Sequence, residues 1–234
     1  MKTIGLLLAV LLGLSGQTPA SPAAPLRHLE YQFGYNTKVA STGPGTGTST
    51  IDIRPASDGG VMITGTDSWW NTVRPRATNT CELYPDGGVS CSQRPYALSP
   101  IQLTLFPLLA HNYFKGLSAS GKSSWKQTYE VKAAIIPGAN GFAGGLYTWN
   151  CTFSLQGTGP IAGAAPLVLV QTNGTLDQQG GRYFKATSKQ RVAYDPVAKV
   201  PVIVNDTRTH LPQTNVYNKD TVQLKLTKDS QAKH

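Results

Sequence analysis

Charge is scarce in this chain of 234 residues: Asp, Glu, Lys and Arg together make up 14 %, against roughly 25 % in an average globular domain. Glutamate occurs only at Glu30, Glu82 and Glu130. Beyond Leu14 no apolar run approaches the ~20 residues that a membrane helix needs. These shortages exclude a coiled coil, a helical bundle and a chain held open by its own charge. The four histidines, His28, His111, His210 and His234, show no metal-ligand spacing with one another, with Cys or with a carboxylate. No metal and no cofactor is therefore expected. There is no G-x-S-x-G nucleophile elbow. A carboxylate pair for glycoside hydrolysis would have to come from distant strands, Asp67 with Glu130 for example. The expectation is a protein that is not an enzyme, with a hydrolase as a remote alternative.

Glycine (24) and proline (16) are abundant, which favours many short strands joined by turns. The length suits one domain with a sizeable core.

The N-terminus reads as an export signal. Lys2 precedes the apolar run Ile4–Leu14, and small residues follow to Thr18-Pro19-Ala20, a cleavage site of the right kind, with Ala23–Ala24 as a second choice. Gln17 stands where a lipoprotein signal requires Cys. Residues 1–20 are read as the signal, 21–28 as a disordered Pro/Ala-rich start, 29–227 as one β domain and 228–234 as a disordered tail. The expected location is secreted or periplasmic, soluble, without a lipid anchor.

Of the three cysteines, Cys81 and Cys91 flank Pro85-Asp86-Gly87-Gly88, which has the chemistry of a tight turn. A hairpin there brings the two thiols together, and a disulfide is expected in an oxidising compartment. Cys151 shares a strand face with Tyr147, Trp149, Phe153 and Leu155 and is expected to be a buried thiol.

Period-2 alternation predicts antiparallel strands. It runs through Tyr31–Val39, Trp125–Ala133, Tyr147–Leu155 and Thr221–Thr227. Further strands fit Thr50–Ile53, Val61–Thr66, Leu167–Gln171, Arg182–Tyr194 and Val200–Thr209, with Tyr194-Asp195-Pro196-Val197 as a turn. Thr42–Ser49 and Gly138–Gly145 read as loops. One helix is predicted at Leu105–Lys115, with Thr104 as N-cap, Pro107 in the first turn and Gly116 at the end. A strand over Ile101–Leu105 is the alternative.

Gly116–Ser123 matches the phosphate-loop pattern G-x-x-x-x-G-K-[ST]. That motif works between a preceding strand and a following helix. Here the order is reversed, so no nucleotide is expected.

Aromatic and basic residues carry the remaining signal. Trp69 and Trp70 are neighbours, and on a strand they face opposite sides. Trp125 and Trp149 sit on apolar faces. Ten Lys/Arg against four Asp lie from Arg182 onward, and Lys185, Lys189 and Arg191 share one strand face. Such a face suits an anionic membrane surface or an acidic polymer, and equally a solvated exterior. With only Tyr183 available for stacking, nucleic acid is not an expected partner. Asn150, Asn173 and Asn205 each open an N-x-[ST] triplet.

The order of a strand meander, a helix, and then long hairpins over Tyr31–Leu226 resembles the half-open β-barrel of periplasmic lipoprotein carriers. The turn Tyr194-Asp195-Pro196-Val197 leading into Val200-Pro201-Val202 is the most similar local feature. The resemblance implies a mainly β fold: an antiparallel meander forming a half-open barrel wrapped around one short helix. A two-sheet β-sandwich is the alternative that alternation leaves open. The resemblance also implies an apolar or acyl ligand in the concave face, lined by Trp69, Phe106, Leu109, Trp125, Trp149 and Phe153. The competing function is a structural or adhesion module of the cell envelope without a small-molecule ligand. A retained cavity separates the two, because a sandwich core packs to ~0.74 density.

Overall fold

The structure is a computed structural model that describes residues 26–37, 44–56, 59–70, 77–85, 87–91, 98–110, 112–119, 123–133, 145–158, 166–177, 183–211 and 218–231. The export segment 1–20 and its cleavage sites lie outside the described residues, as do His111 and His234.

The chain is mainly β. In order it forms β1 (Arg27–Thr37), β2 (Gly45–Pro55), β3 (Val61–Trp69), β4 (Ala77–Leu83), β5 (Val89–Cys91), α1 (Pro100–Leu108) and α2 (Lys115–Ala119). Then follow β6 (Ser124–Ala133), β7 (Gly145–Thr158), β8 (Pro166–Asp177), β9 (Tyr183–Asp195), β10 (Val200–Leu211) and β11 (Asn218–Asp229). The strands make one sheet rather than the two of a sandwich, and sequential neighbours pair antiparallel except at β5 and β6. β1 pairs with both β2 and β11, so the meander curls back on itself. Each strand has two neighbours and the pairings run full circle. The circle is thin at one seam: β5 and β6 run parallel and meet only at Val89–Val131 and Ser90–Lys132. The expected curled meander around a helix is present, and the opening of a half-barrel is reduced to this seam.

Alternation places Leu29, Tyr31, Phe33 and Tyr35 of β1 inside, with Gln32 and Asn36 exposed. The sheet reaches slightly beyond the expected domain limits. Arg27 and Asp229 form an ion pair that joins the first strand to the last, and Arg27 Nη1 also donates to Ala198 O at 2.8 Å. Burial alone would raise the Asp229 pKa, but the Arg27 bonds outweigh it and hold the carboxyl below its usual value. Tyr31 donates its buried hydroxyl to Pro201 O at 2.9 Å, and burial pushes that phenol far up.

Two local expectations are corrected. Residues 45–49, read as loop, are the start of β2, because Thr46 and Thr48 supply outward β-branched side chains between inward Gly47 and Ser49. The helix begins five residues earlier than predicted. Ser99, not Thr104, is its N-cap: Ser99 Oγ accepts from Gln102 N at 3.1 Å, the Gln102 side chain accepts from Ser99 N at 3.3 Å, and Pro100 opens the first turn. Pro107 therefore falls in the last turns, and the strand alternative for 101–105 is excluded. Gly116 does not end that helix. It lies within α2, where a Cβ would come within 2.4 Å of the Trp125 ring. The pattern Gly116–Ser123 thus spans a short helix followed by β6, the reverse of the phosphate-loop order. Within that stretch Ser118 belongs to α2, Ser124 just beyond it opens β6, and 120–122 lie outside the described residues.

Every residue of α1 from Ile101 to Leu108 is buried. A helix apolar on all sides belongs in an interior. It sits against β3, β10 and β11, inside the curl of the sheet. Gly65 of β3 makes room for it: a Cβ there would lie 2.6 Å from Phe106 Cζ.

Candidate functional site

The interior carries two polar clusters that fasten α1. At its N-terminus Ser99 donates to Asp67 Oδ2 of β3, in a short hydrogen bond. Gln102 accepts from Asn79 Nδ2 at 2.6 Å and donates to Gly65 O at 3.2 Å. Ser49 lies directly across the ladder from Asp67, but neither Ser49 Oγ nor Asp67 Oδ1 completes a hydrogen bond. Burial raises the Asp67 pKa to about 6, against the lowering effect of the Ser99 and Ser49 hydroxyls. On the other side Thr104 donates to Asp206 Oδ2 at 2.8 Å, and Ser188 donates to Asp206 Oδ1 at 2.5 Å. Arg208 Nη2 bonds both Asp206 (3.0 Å) and Thr104 (3.1 Å), and the guanidinium lies 5.8 Å from the Trp149 ring centre. A buried charge pair of this kind persists only when hydrogen bonds saturate it. Here the carboxylate is saturated and Arg208 Nε is not.

The six residues proposed to line an apolar site all join one hydrophobic core, and of them Trp125 and Phe153 are stacked on each other. Phe106 is fully buried under Gly65, and Leu109 is buried at the end of α1. Phe153 is fully buried, stacked on half-buried Trp125 with ring centres 4.9 Å apart, and edge-on to Tyr113. Trp149 lies below Arg208. Trp69 packs edge-on against Phe33 and Tyr35, while Trp70 is 60 % exposed. The expectation that one Trp faces in and the other out is met. Cys151 is a buried thiol that takes no part in the disulfide, with its sulfur 3.9 Å from the Tyr113 hydroxyl.

Cys81 and Cys91 face each other across the β4–β5 hairpin and form a disulfide. The turn between them needs Gly87, whose φ is +103° and whose missing Cβ would strike the Tyr113 ring at 2.6 Å. Beside this hairpin, at the thin seam, lies a groove of about 490 Å³ lined by Tyr84, Val89, Ser90, Tyr129, Glu130 and Lys132, among others. That volume falls in the range of small-molecule sites, roughly 300–1,000 Å³.

The basic face is on the outside. Lys189 and Arg191 of β9 are exposed, while Lys185 has no side chain among the described ones. Asn150 and Asn205 are exposed on outer faces, and the Asn173 side chain is not among the described ones. Asp67 and Glu130 do not meet: Asp67 points into the barrel and Glu130 is exposed on the outer face of β6. Among the described residues no three His, Cys, Asp or Glu side chains gather as metal ligands would, and no helix is long and apolar enough to cross a membrane.

Sequence reasoning missed Asp67 as a buried group and missed the Asp206–Arg208 cluster. The signal was parity. Asp206 and Arg208 stand at i+2 and i+4 from the inward Val204, and Asp67 at i+4 from Ile63.

By its fold the chain is a single-sheet β-barrel around an internal helix. No protein-family model, no curated protein and no solved structure matches it.

Proposed function

We propose that the chain is an exported module that binds through its outer surface, its interior serving as packed core. One observation carries this reading: the six residues expected to line an acyl site are packed into one hydrophobic core with α1, which is buried from Ile101 to Leu108 and tied by side chains to β3, β4 and β10. Evicting this helix would expose a fully apolar segment to water and strand Asp206 and Arg208 without Thr104. The Cys81–Cys91 disulfide supports an oxidising compartment. So does the apolar run at Ile4–Leu14, with its small-residue cleavage site.

The test is native mass spectrometry of protein recovered from its own export compartment, with lipid extraction and titration by a fluorescent fatty acid. The expected result is the mass of the mature chain less two hydrogens, with no extracted acyl species and no probe uptake. A stoichiometric acyl species released on denaturation would overturn the reading and restore the carrier, with Trp125 and Trp149 the first residues to change.

The groove at the β5–β6 seam favours a second reading, a small ligand held against Tyr84 and Tyr129 at the barrel wall. A co-purifying compound whose retention is lost in Tyr84→Ala but kept in Trp149→Phe would select it.

A further inference from the structure

The outer face of β9, β10 and β11 carries a frame of unpaired cations. On β9, Lys189 and Arg191 point outward two residues apart; on β11, Lys219 and Lys225 do so six residues apart. All four are exposed, and none has a hydrogen bond or an ion pair among the described residues. Between the two rows lies an uncharged strip. Arg191 is opposite Asn205, itself opposite Gln223; Lys189 is opposite Thr207, itself opposite Thr221. The β9 and β11 rows are therefore about 10 Å apart, and Lys219 and Lys225 about 20 Å. Asp195, the carboxylate nearest in sequence to Arg191, is held in the β9–β10 turn, where it accepts from Val197 N and Ala198 N at 2.8 and 2.9 Å, and Asp220, next to Lys219, is half-buried on the opposite parity. Asp206 is buried inside with Arg208, Asp229 pairs with Arg27, and Glu30 at the margin is bonded to Lys228 and His28.

We infer that this face is a docking surface for an acidic polysaccharide, an inference that rests on the surface-acting reading above and names its partner. Charge complementarity sets the sign: four exposed cations, with Asp195 at the turn end of β9 engaged by backbone amides, attract a polyanion over a Debye length of ~10 Å at 0.1 M salt. The strip decides the class. Asn205, Thr207, Thr221 and Gln223 offer amide and hydroxyl groups that match a hydroxyl-bearing chain. Of the exposed large apolar residues, Leu26, Trp70, Tyr84 and Leu155 lie outside these three strands, and Val197 lies in the turn at the end of β9. Among the described side chains of the three strands a membrane would find no large apolar group to insert, and a single-stranded nucleic acid would find no exposed ring to stack on.

The experiment measures binding of the full mature chain to polygalacturonate, to neutral dextran and to phosphatidylglycerol/phosphatidylcholine vesicles, at 0.05 M and 0.2 M salt. Two paired variants, K189Q/R191Q and K219Q/K225Q, are compared with R54Q/K126Q. That control loses the same charge from exposed positions on β2 and β6. The expected result is salt-sensitive binding to polygalacturonate and none to dextran, weakened roughly tenfold or more by either paired variant and less than about twofold by the control. Equal losses in all three variants would reduce the effect to net charge and overturn the inference. So would absence of polygalacturonate binding, or preference for the vesicles. None of these outcomes depends on whether a ligand is found in the barrel, so this inference and the reading it rests on fail separately.

Discussion

Replacing Asp67 by Asn is expected to stabilise the protein at neutral pH and leave it nearly unchanged in acid. The Asp67 carboxyl is fully buried at the N-terminus of α1, with Oδ2 bonded to Ser99 and Oδ1 unpaired. Its pKa rises from 3.8 to about 6 on folding. The folded state therefore holds this proton more tightly than the unfolded chain does. The contribution to stability is fully present below pH 3.8 and is lost as pH rises through 6. Two units at 1.36 kcal/mol each correspond to about 3 kcal/mol lost by pH 7. Asn keeps an acceptor for Ser99 and turns an amide toward Ser49 Oγ, which has room for a donor. In a domain of this size 3 kcal/mol moves Tm by roughly 6–12 °C. Urea titrations of both proteins at pH 4, 5, 6, 7 and 8 give the difference directly. The gap should be close to zero at pH 4 and grow to its full size by pH 7. A gap that is flat across the range, or that grows toward acid, would refute the argument that a desolvated carboxyl sits at the helix cap.

Two further predictions test the packing. Gly65→Ala places a Cβ against Phe106 and Ile51, and overpacking should cost about 1–3 kcal/mol in chemical denaturation; a neutral substitution would mean that α1 does not rest on β3. Removing the disulfide as C81A/C91A opens a loop of sequence separation 10. It should lower stability by about 3 kcal/mol on the chain-entropy scale, read as a lower urea midpoint that reducing agent no longer shifts.

Much of the fold was legible locally. Alternation in β1, β6, β7 and β11 fixed which side chains face the core, because a pleated strand has a strict period of two. The Cys81–Cys91 bridge followed from a Pro-Asp-Gly-Gly turn between two short strands, and the burial of Cys151 from its parity with Trp149 and Phe153. Helix placement was less legible. The apolar spacing of Leu105, Leu108 and Leu109 drew the predicted start to Thr104, whereas the start is set by Ser99 and Gln102, a reciprocal pair that a search for an apolar stripe passes over.

The amino-acid sequence alone determined the alternation, the turn chemistry and the presence of a helix between β5 and β6, since each depends on groups within a few residues of one another. Only the tertiary structure decided that β1 closes on β11 and that β5 meets β6 in parallel. It likewise decided that Lys189 and Arg191 share an outer face with Lys219 and Lys225. Those pairings join residues as far apart as Arg27 and Asp229. They are settled by which closure buries the apolar face of every strand at once, and no local stretch of the chain carries that condition.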